Sequence, residues 1–476
     1  MSFTDALRSL QPIMGLLPEV KKPDYPPSLK DKLLWTALIL GIFFVLGQIF
    51  PIGLDSDRVQ VFQRLDILLG SKTGSLITAG IGPIVLASIF LQLAKGSGLI
   101  SLDFSKQEDK IIFQGLQKTL AILLSFGEAF IYVFSNYITA AGAGSSGLPP
   151  LFGSVFITQL IVALQLAGGS IILIYLDEVV QRYGIGSGIS LFIAAGVSQA
   201  IFVGAFSLVL TPTGMPSGLI PGAITLIASG DVVTAFWNLV PILFTIAVFL
   251  VVVYVEGMKI ELPLAYGKAR GLGARYPIKF LYVSNIPVIL ASALLLNIQL
   301  FGLFLSGAGI GVLGTYQNNQ PIDGLAYFVT ALPSPLLVGG YENYLRIILT
   351  PREITHMFTY GIALVILCVI FGYFWIESTG MGSRDVAKQL EQSGLQIPGF
   401  RPDPRITEKI LEKYIPIITI LGSIFVGILA WFADVTGALG TGTGILLTVG
   451  IVYRFYEDLA QQQLFELYPV LKNIVR

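Results

Sequence analysis

The sequence predicts an all-α polytopic membrane protein with ten transmembrane helices. Three observations predict it: the composition, the long segments without charge, and the uneven distribution of basic residues. The chain has 476 residues, of which 54% are hydrophobic and only 12% are charged. Soluble domains usually carry about twice that charged fraction. Because hydrocarbon does not solvate charge, this deficit indicates one continuous membrane bundle rather than several soluble domains.

Segments without Lys, Arg, Asp or Glu locate the helices. Crossing about 30 Å of hydrocarbon takes roughly 20 apolar residues in a helix. Six segments hold one span each, namely residues 33–54, 73–94, 232–255, 354–376, 414–433 and 435–453. Three longer segments hold a span together with a loop, namely residues 129–176, 183–230 and 280–322. In the first of these, the Gly-, Ser- and Pro-rich residues 142–150 separate the third helix from the fourth, so the total is ten.

The basic residues orient these helices. Ten spans place both termini on one side of the membrane, and all 29 Lys and Arg residues except five fall on that side. The five exceptions are Arg58, Arg64, Lys72, Arg346 and Arg352. Since short cytoplasmic loops carry an excess of Lys and Arg, both termini are expected in the cytoplasm.

The expected organisation has five parts. Residues 1–30 have the apolar spacing of a short amphipathic helix, which either lies on the membrane surface or packs on the protein. Residues 31–208 form an N-terminal half with helices one to five, and 209–235 an external loop. Residues 236–461 form a C-terminal half with helices six to ten, and 462–476 a cytoplasmic tail. The second half contains two cytoplasmic loops, at about 257–279 and about 378–413.

An internal repeat relates the two halves. The second helix contains GPIVLAS at residues 82–88, and the seventh contains IPVILAS at residues 286–292. These helices hold equivalent places in two sets of five, and an odd number of helices forces the two sets into opposite orientations. Inverted repeats place a pathway at the interface between the halves. Chance similarity between two apolar segments is the alternative explanation of this match.

Motifs for catalysis or cofactor binding are not found in the sequence. There is no Gly-rich loop followed by Lys-Ser or Lys-Thr, and the glycines of residues 184–188 lack the spacing of a dinucleotide loop. Cys368 and His356 are the only residues of their types, which excludes an internal disulfide and a clustered His/Cys metal site. Because His356 lies at an outer helix end, a Ser/His/Asp set is not expected. No cofactor or metal is therefore expected. Glu128 is the one acid clearly inside a span and Asp434 lies at a helix end, whereas a proton-coupled transporter normally needs more.

Long motifs along the whole chain resemble the SecY family in its archaeal and eukaryotic form. They are GMKIELPL at residues 257–264, KARG at 268–271, YPIKFLYVSNIP at 276–287, GIGPIV at 80–85, YGIGSGIS at 183–190, IPGFRP at 397–402 and the tenth helix at 442–453. Their order and spacing fit from one end to the other, so the resemblance covers nearly all of the chain. That family forms protein-conducting channels, and the resemblance implies an hourglass pore between helices one to five and six to ten.

The resemblance also implies an aliphatic ring at the constriction of the pore. Matched residue by residue, the ring consists of Val85, Ile89, Ile189, Ile193, Ile289 and Leu447. Two of the pairs within this set are spaced i, i+4 and so share one helix face. Packing against lipid or in the core is the alternative role of any single one. A hydrophobic constriction can close by dewetting, and aliphatic side chains offer no fixed hydrogen bonds to a passing chain.

Two further parts of the channel are implied. A plug at residues 57–72, which includes Val61, Phe62, Leu65 and Leu68, would block the closed pore from outside; a plain surface loop would carry fewer aliphatic residues. A lateral gate would open between helices two and three on one side and seven and eight on the other. Its polar residues would be Gln92, Glu128 and Asn297, although family members often have a neutral amide where Glu128 stands.

The family resemblance implies several partners. The two basic cytoplasmic loops would dock the ribosome, with Lys268, Arg270, Arg275 and Arg401 meeting RNA phosphates; the alternative is that these charges only set the topology. Two small membrane subunits of SecE and Sec-beta type, signal sequences, nascent polypeptides and membrane lipid complete the set. The predicted function is a passive, non-enzymatic conduit in the plasma membrane that translocates unfolded polypeptides and releases transmembrane segments into lipid. A secondary transporter and an insertase without a through-pore are the alternatives.

Overall fold

A computed structural model gives the structure of the protein. It describes residues 17–25, 27–55, 71–96, 98–100, 107–135, 137–142, 149–211, 214–266, 273–283, 285–317, 320–335, 338–392, 395–396 and 404–467. These residues contain ten long helices, each of which overlaps a segment where the sequence predicts a span. The helices are α1 (Leu29–Leu46), α2 (Gly82–Gly96), α3 (Gln107–Phe134), α4 (Val155–Tyr183), α5 (Gly188–Phe206), α6 (Val232–Glu256), α7 (Ile286–Gly307), α8 (Pro351–Thr379), α9 (Pro404–Val435) and α10 (Gly442–Leu467).

Seven of these helices, α3 to α9, are by themselves long and apolar enough to cross a membrane. The other three fall short for different reasons. Helix α2 has only 15 residues, and α1 and α10 carry charges near one end. Length and hydropathy alone therefore identify seven spans, fewer than the ten long helices of the bundle.

Helix α2 begins later than the sequence predicts. The charge-free segment starts at residue 73, but the helix starts at Gly82. Residues 71–81 instead form consecutive turns, most of them buried. Gly80 has a φ of 54°. This left-handed conformation prevents α2 from extending further towards residue 73, and glycine adopts it without steric cost. Irregular backbone at membrane depth is tolerated where surrounding protein shields it from lipid, and here the segment packs against α4.

The connection between α5 and α6 and the long loops contain further regular structure. A short apolar helix, Leu219–Ala228, lies between α5 and α6. Helix α6 starts after Asp231, whose side chain accepts a hydrogen bond from the Thr234 amide at 3.1 Å and caps the helix. Between α7 and α8 lie the short helices Gly324–Phe328 and Tyr341–Ile348 and a two-stranded pair.

A small sheet, which the sequence analysis does not predict, lies on one side of the bundle. Strands β1 (Lys259–Tyr266) and β2 (Gly273–Lys279) form an antiparallel hairpin between α6 and α7. Strand β3 (Leu395–Gln396), from the loop between α8 and α9, pairs with the end of β1. The helix Ser383–Gln392 precedes β3. We call this side of the bundle the hairpin side.

The two halves meet along two lines of helix packing. Helix α2 contacts α7 and α8, α3 contacts α7, and α5 contacts α10. One large apolar cluster runs through this interface and includes side chains from α1, α2, α4, α5 to α10. A second cluster packs the hairpin onto α8 and α9 through Ile278, Val386 and Leu411. The interface between the halves is therefore the core of the molecule.

Candidate functional site: a closed constriction between the halves

The structure brings the six predicted ring residues into one apolar cluster. Val85 and Ile89 lie on α2, and Ile193 on α5, with 5%, 1% and 0% of their surface exposed. Leu447 on α10 is also fully buried. Ile189 and Ile289 are half-buried and pack against the same cluster. These six side chains can neither donate nor accept a hydrogen bond.

The predicted gate residues lie at the seam where α2 and α3 face α7. Gln92, Glu128 and Asn297 are all buried. The Asn297 amide donates to the Ala293 carbonyl on its own helix at 2.8 Å. Within the described part of the chain, the Oε1 atoms of Gln92 and Glu128 have no hydrogen-bond partner. Buried polar atoms are normally paired, so these two oxygens are exceptions to that rule within the described residues.

A lysine that sequence reasoning missed crosses the same seam. The Lys95 ammonium, in the last turn of α2, donates to the Glu377 carbonyl near the end of α8 at 2.8 Å. Gln117 of α3 also donates to the Ser88 hydroxyl of α2 at 2.7 Å, which joins the two helices on one side of the seam. The sequence places Lys95 at the end of a span. Its acceptor cannot be predicted from the sequence, because it is a backbone carbonyl and every residue has one.

The predicted plug residues Val61, Phe62, Leu65 and Leu68 lie outside the described residues. So do three of the four predicted ribosome contacts, Lys268, Arg270 and Arg401. The fourth, Arg275, lies in β2 opposite Pro263. Strand β3 pairs Gln396 with Ala265, so the second basic loop starts beside the tip of the first. The two basic loops are therefore joined through their described strands.

Polar contacts anchor the base of the hairpin to the bundle. The Lys279 ammonium contacts both carboxylate oxygens of Glu457 on α10, at 2.8 and 2.5 Å. The Tyr282 hydroxyl donates to the Met381 carbonyl at 2.9 Å. Burial raises the pKa of Tyr282 well above its ordinary value, so its hydroxyl keeps the proton that it donates.

His356 has a structural role. Its Nδ1 lies 3.0 Å from the Glu353 carboxylate and its Nε2 lies 2.7 Å from the Thr330 carbonyl. The side chain is buried at the start of α8. Its Nε2 contact joins this helix to the preceding segment, whereas its Nδ1 contact lies within the helix.

These features define a class of protein: a polytopic helical membrane protein whose two inverted halves meet in an apolar core. Comparison with known proteins identifies the family. The SecY family model matches residues 75–456, and the chain belongs to the SecY family.

Individual relatives match over nearly the whole chain. The protein translocase subunit SecY of Methanothermobacter thermautotrophicus is 46% identical over 471 residues, which cover 98% of each chain. Among solved structures, a SecY protein whose plug domain stabilises the closed state of the translocation channel and maintains a membrane seal is 42% identical, with a TM-score of 0.80 over 97% of this chain and 98% of that one. Sec61 of the canine ribosome–channel complex from the endoplasmic reticulum is 41% identical, with a TM-score of 0.79 and the same coverage. The predicted family and fold class, ten helices in two inverted halves around an hourglass pore, are confirmed.

Proposed function

We propose that this protein is the central subunit of a protein-conducting channel, which translocates unfolded polypeptides across the membrane and releases transmembrane segments into lipid. The observation that carries this proposal is the buried aliphatic ring contributed by α2, α5, α7 and α10, two helices from each half. The names of the relatives, a protein translocase subunit and a translocation channel, support it.

The physical need for such a ring follows from the cargo. A charged side chain costs about 2.5–3.5 kcal/mol at the centre of a membrane helix on insertion scales, and a secreted chain carries many. A path through protein removes this cost. Because the ring side chains form no hydrogen bonds, they can part around any sequence and close again by excluding water. No step in this cycle requires a catalytic group, so the channel is passive and a partner supplies the driving force.

The seam between α2, α3, α7 and α8 supplies a sideways exit. An apolar segment of about 20 residues that reaches an open seam partitions into lipid, whereas a polar segment continues through the pore. Gln92, Glu128 and Asn297 line this seam and make its closed form polar at the centre. We assign residues 57–72 as the plug that covers the ring on the side away from the hairpin. The plug domain of the related SecY structure supports this assignment.

The hairpin side is assigned to the cytoplasm, where it docks the ribosome. Lys268, Arg270, Arg275 and Arg401 lie in or beside the β1–β2 hairpin and the loop that β3 joins to it. The canine Sec61 relative was solved in a ribosome–channel complex. Both termini then lie in the cytoplasm, the membrane is the plasma membrane, and two small subunits of SecE and Sec-beta type complete the channel.

Crosslinking from a stalled nascent chain tests the function. Photoreactive probes at Ile89, Ile193 and Leu447, in membranes that carry the complete channel, should each crosslink a stalled secretory chain in a signal-sequence-dependent manner. A matched probe at Val452 on α10, which is 55% exposed, should not. Efficient translocation without contact at any ring position would refute the pore assignment. Release of transmembrane segments without passage of soluble proteins would favour an insertase, and stoichiometric flux of a small solute would favour a transporter.

A further inference from the structure

A buried aspartate at the end of α4 holds the start of α5. Asp177 lies in the last two turns of α4, and its Oδ1 accepts hydrogen bonds from the Ile189 amide at 3.0 Å and the Ser187 hydroxyl at 3.3 Å. Its Oδ2 accepts a hydrogen bond from the Gln181 side-chain amide at 2.8 Å. A Cβ at Gly188 would lie 2.5 Å from the Asp177 Cα, so glycine permits this close approach of the two helices.

A second buried aspartate does the same between α9 and α10. Asp434 lies in the last turn of α9, and its Oδ1 accepts from the Gly442 amide at 2.8 Å. Its Oδ2 accepts from the Tyr360 hydroxyl of α8 at 2.9 Å. A Cβ at Gly442 would lie 2.4 Å from the Ala430 carbonyl oxygen. Here too a glycine begins the helix because no side chain fits between the two helix ends.

The two arrangements hold equivalent places in the inverted halves. Each joins the fourth helix of a half to the fifth. Each uses a glycine, a hydroxyl residue and a second glycine at the helix start, Gly-Ser-Gly at residues 186–188 and Gly-Thr-Gly at 440–442. In each, a carboxylate on the preceding helix accepts a hydrogen bond from a backbone amide in the first turn of the following helix. This is a second internal correspondence, independent of the GPIVLAS and IPVILAS match.

The capped helix starts lie close to the ring. Helix α5 begins at Gly188 and α10 at Gly442, so Ile193 and Leu447 are each the sixth residue of their helix. At 1.5 Å per residue, each ring side chain lies about 7.5 Å along the axis from the first residue. The first amides of a helix lack partners within the helix and carry partial positive charge. A carboxylate at each start satisfies one of these amides and offsets that charge next to the pore.

We propose that Asp177 and Asp434 are matched positioning residues, which hold Ile193 and Leu447 in the closed ring by fixing the starts of α5 and α10. This inference rests on the proposed function of the ring. The aliphatic ring members form no directional bonds with one another, so the placement of their helices determines whether the ring seals. Glycine-rich helix starts would otherwise be free to shift. The two carboxylates restrain the ring from opposite sides, because α5 starts on the hairpin side and α10 on the other.

The test is the ion leak of the resting channel. The complete channel, reconstituted in liposomes without cargo, should conduct ions about fivefold faster per folded channel in Asp177→Ala and in Asp434→Ala, as expected from the typical stabilisation by a helix cap. Asp177→Asn and Asp434→Asn keep the Oδ1 acceptor and should restore most of the seal. The controls are Gln181→Ala and Tyr360→Phe, which remove the hydrogen bond to Oδ2 of each carboxylate and leave the contacts of Oδ1 at the helix start. These should leak like the wild type.

Two results would overturn the proposal: alanine variants as tight as the wild type, or controls as leaky as the alanine variants. A fall in thermal stability without a leak would show that the carboxylates only stabilise the fold. If the alanine variants do not fold, Asp177→Ser and Asp434→Ser, whose shorter side chains withdraw the acceptor from the helix start, are examined with Ile193→Cys and Leu447→Cys in a Cys368→Ala background. A short bifunctional maleimide should then join the two cysteines in lower yield than with Asp177 and Asp434 intact, and an unchanged yield overturns the proposal. Absence of nascent-chain crosslinks to the wild-type ring would instead refute the proposed function.

Discussion

At the scale of single residues, two adjacent glycines of α4 differ completely in their surroundings. A Cβ at Gly169 would lie 1.9 Å from the Leu76 carbonyl oxygen, whereas a Cβ at Gly168 would meet nothing within 4 Å. Leu76 belongs to the irregular segment that precedes α2. Gly169 is therefore the point at which α4 supports that segment, and its neighbour offers a matched comparison.

Gly169→Ala should destabilise the protein, because its new methyl group would collide with backbone rather than with a flexible side chain. Overpacking of a core typically costs about 1–3 kcal/mol. Gly168→Ala should be neutral or slightly stabilising, since alanine is favoured over glycine by up to ~1 kcal/mol inside a helix. Thermal unfolding of the two purified variants in the same detergent measures this difference. Equal melting temperatures would contradict the close packing of α4 on residues 71–81.

At the scale of elements, helix packing and a long-range polar contact join the two sides of the seam. The Lys95 ammonium of α2 reaches the Glu377 carbonyl of α8. A hydrogen bond from a charged donor contributes about 1.5–3 kcal/mol when buried and less when exposed to water. This contact lies at the hairpin side of the seam, where an incoming signal sequence would first meet it.

Lys95→Met removes the donor and keeps a side chain of similar length. We expect the seam to open more readily, so a reporter with a weakened signal sequence should translocate more efficiently than in the wild type. Lys110→Met removes an exposed lysine from α3 and serves as the control. Translocation of the weak reporter into membrane vesicles is the measurement. No gain in Lys95→Met over Lys110→Met would show that the contact does not restrain the gate.

The hairpin element carries its own prediction. The double variant Lys268→Ala/Arg270→Ala should bind ribosomes more weakly, and the slope of log affinity against log salt should become shallower by about two, one for each lost phosphate contact. Lys21→Ala/Lys22→Ala removes the same charge from exposed residues on the side where the N-terminus lies. Co-sedimentation of ribosomes with the reconstituted channel at several salt concentrations measures both slopes. Equal slopes for the two double variants would mean that the hairpin charges act on topology alone.

At the scale of the whole molecule, the even helix count and the distribution of basic residues together predict the orientation in the membrane. Ser229 lies before α6 and Glu391 lies before β3, on opposite sides of the bundle, and both are exposed. In intact cells, Ser229→Cys should react with a membrane-impermeant maleimide, and Glu391→Cys should react only after the membrane is opened. The native Cys368 is buried and should contribute little labelling. The reverse pattern would place the hairpin outside the cell.

Much of this architecture could be predicted from the sequence, because hydrocarbon excludes charge and leaves long, readable segments. The ten helices and the alignment of the ring followed from such segments and from family motifs. The start of α2 did not, since hydropathy measures exclusion from water and residues 71–81 are apolar without being helical. The contacts of Lys95, Asp177 and Asp434 were also missed. Each uses a backbone carbonyl or amide of a distant element, and backbone groups carry no sequence identity.

The short α2 has a mechanical consequence. Its starting end is held by residues 71–81 against α4, whereas its far end is tied across the seam by the hydrogen bond from Lys95 to the Glu377 carbonyl. Fifteen residues make a rigid rod about 22 Å long. Such a rod is a lever with its fulcrum at one end: a tilt of about 10° would move the Lys95 end by about 4 Å and Val85 by about 1 Å. The same tilt would therefore displace the Lys95 end of α2 about four times as far as Val85. A signal sequence would then separate the helices at the seam before the ring side chains move apart.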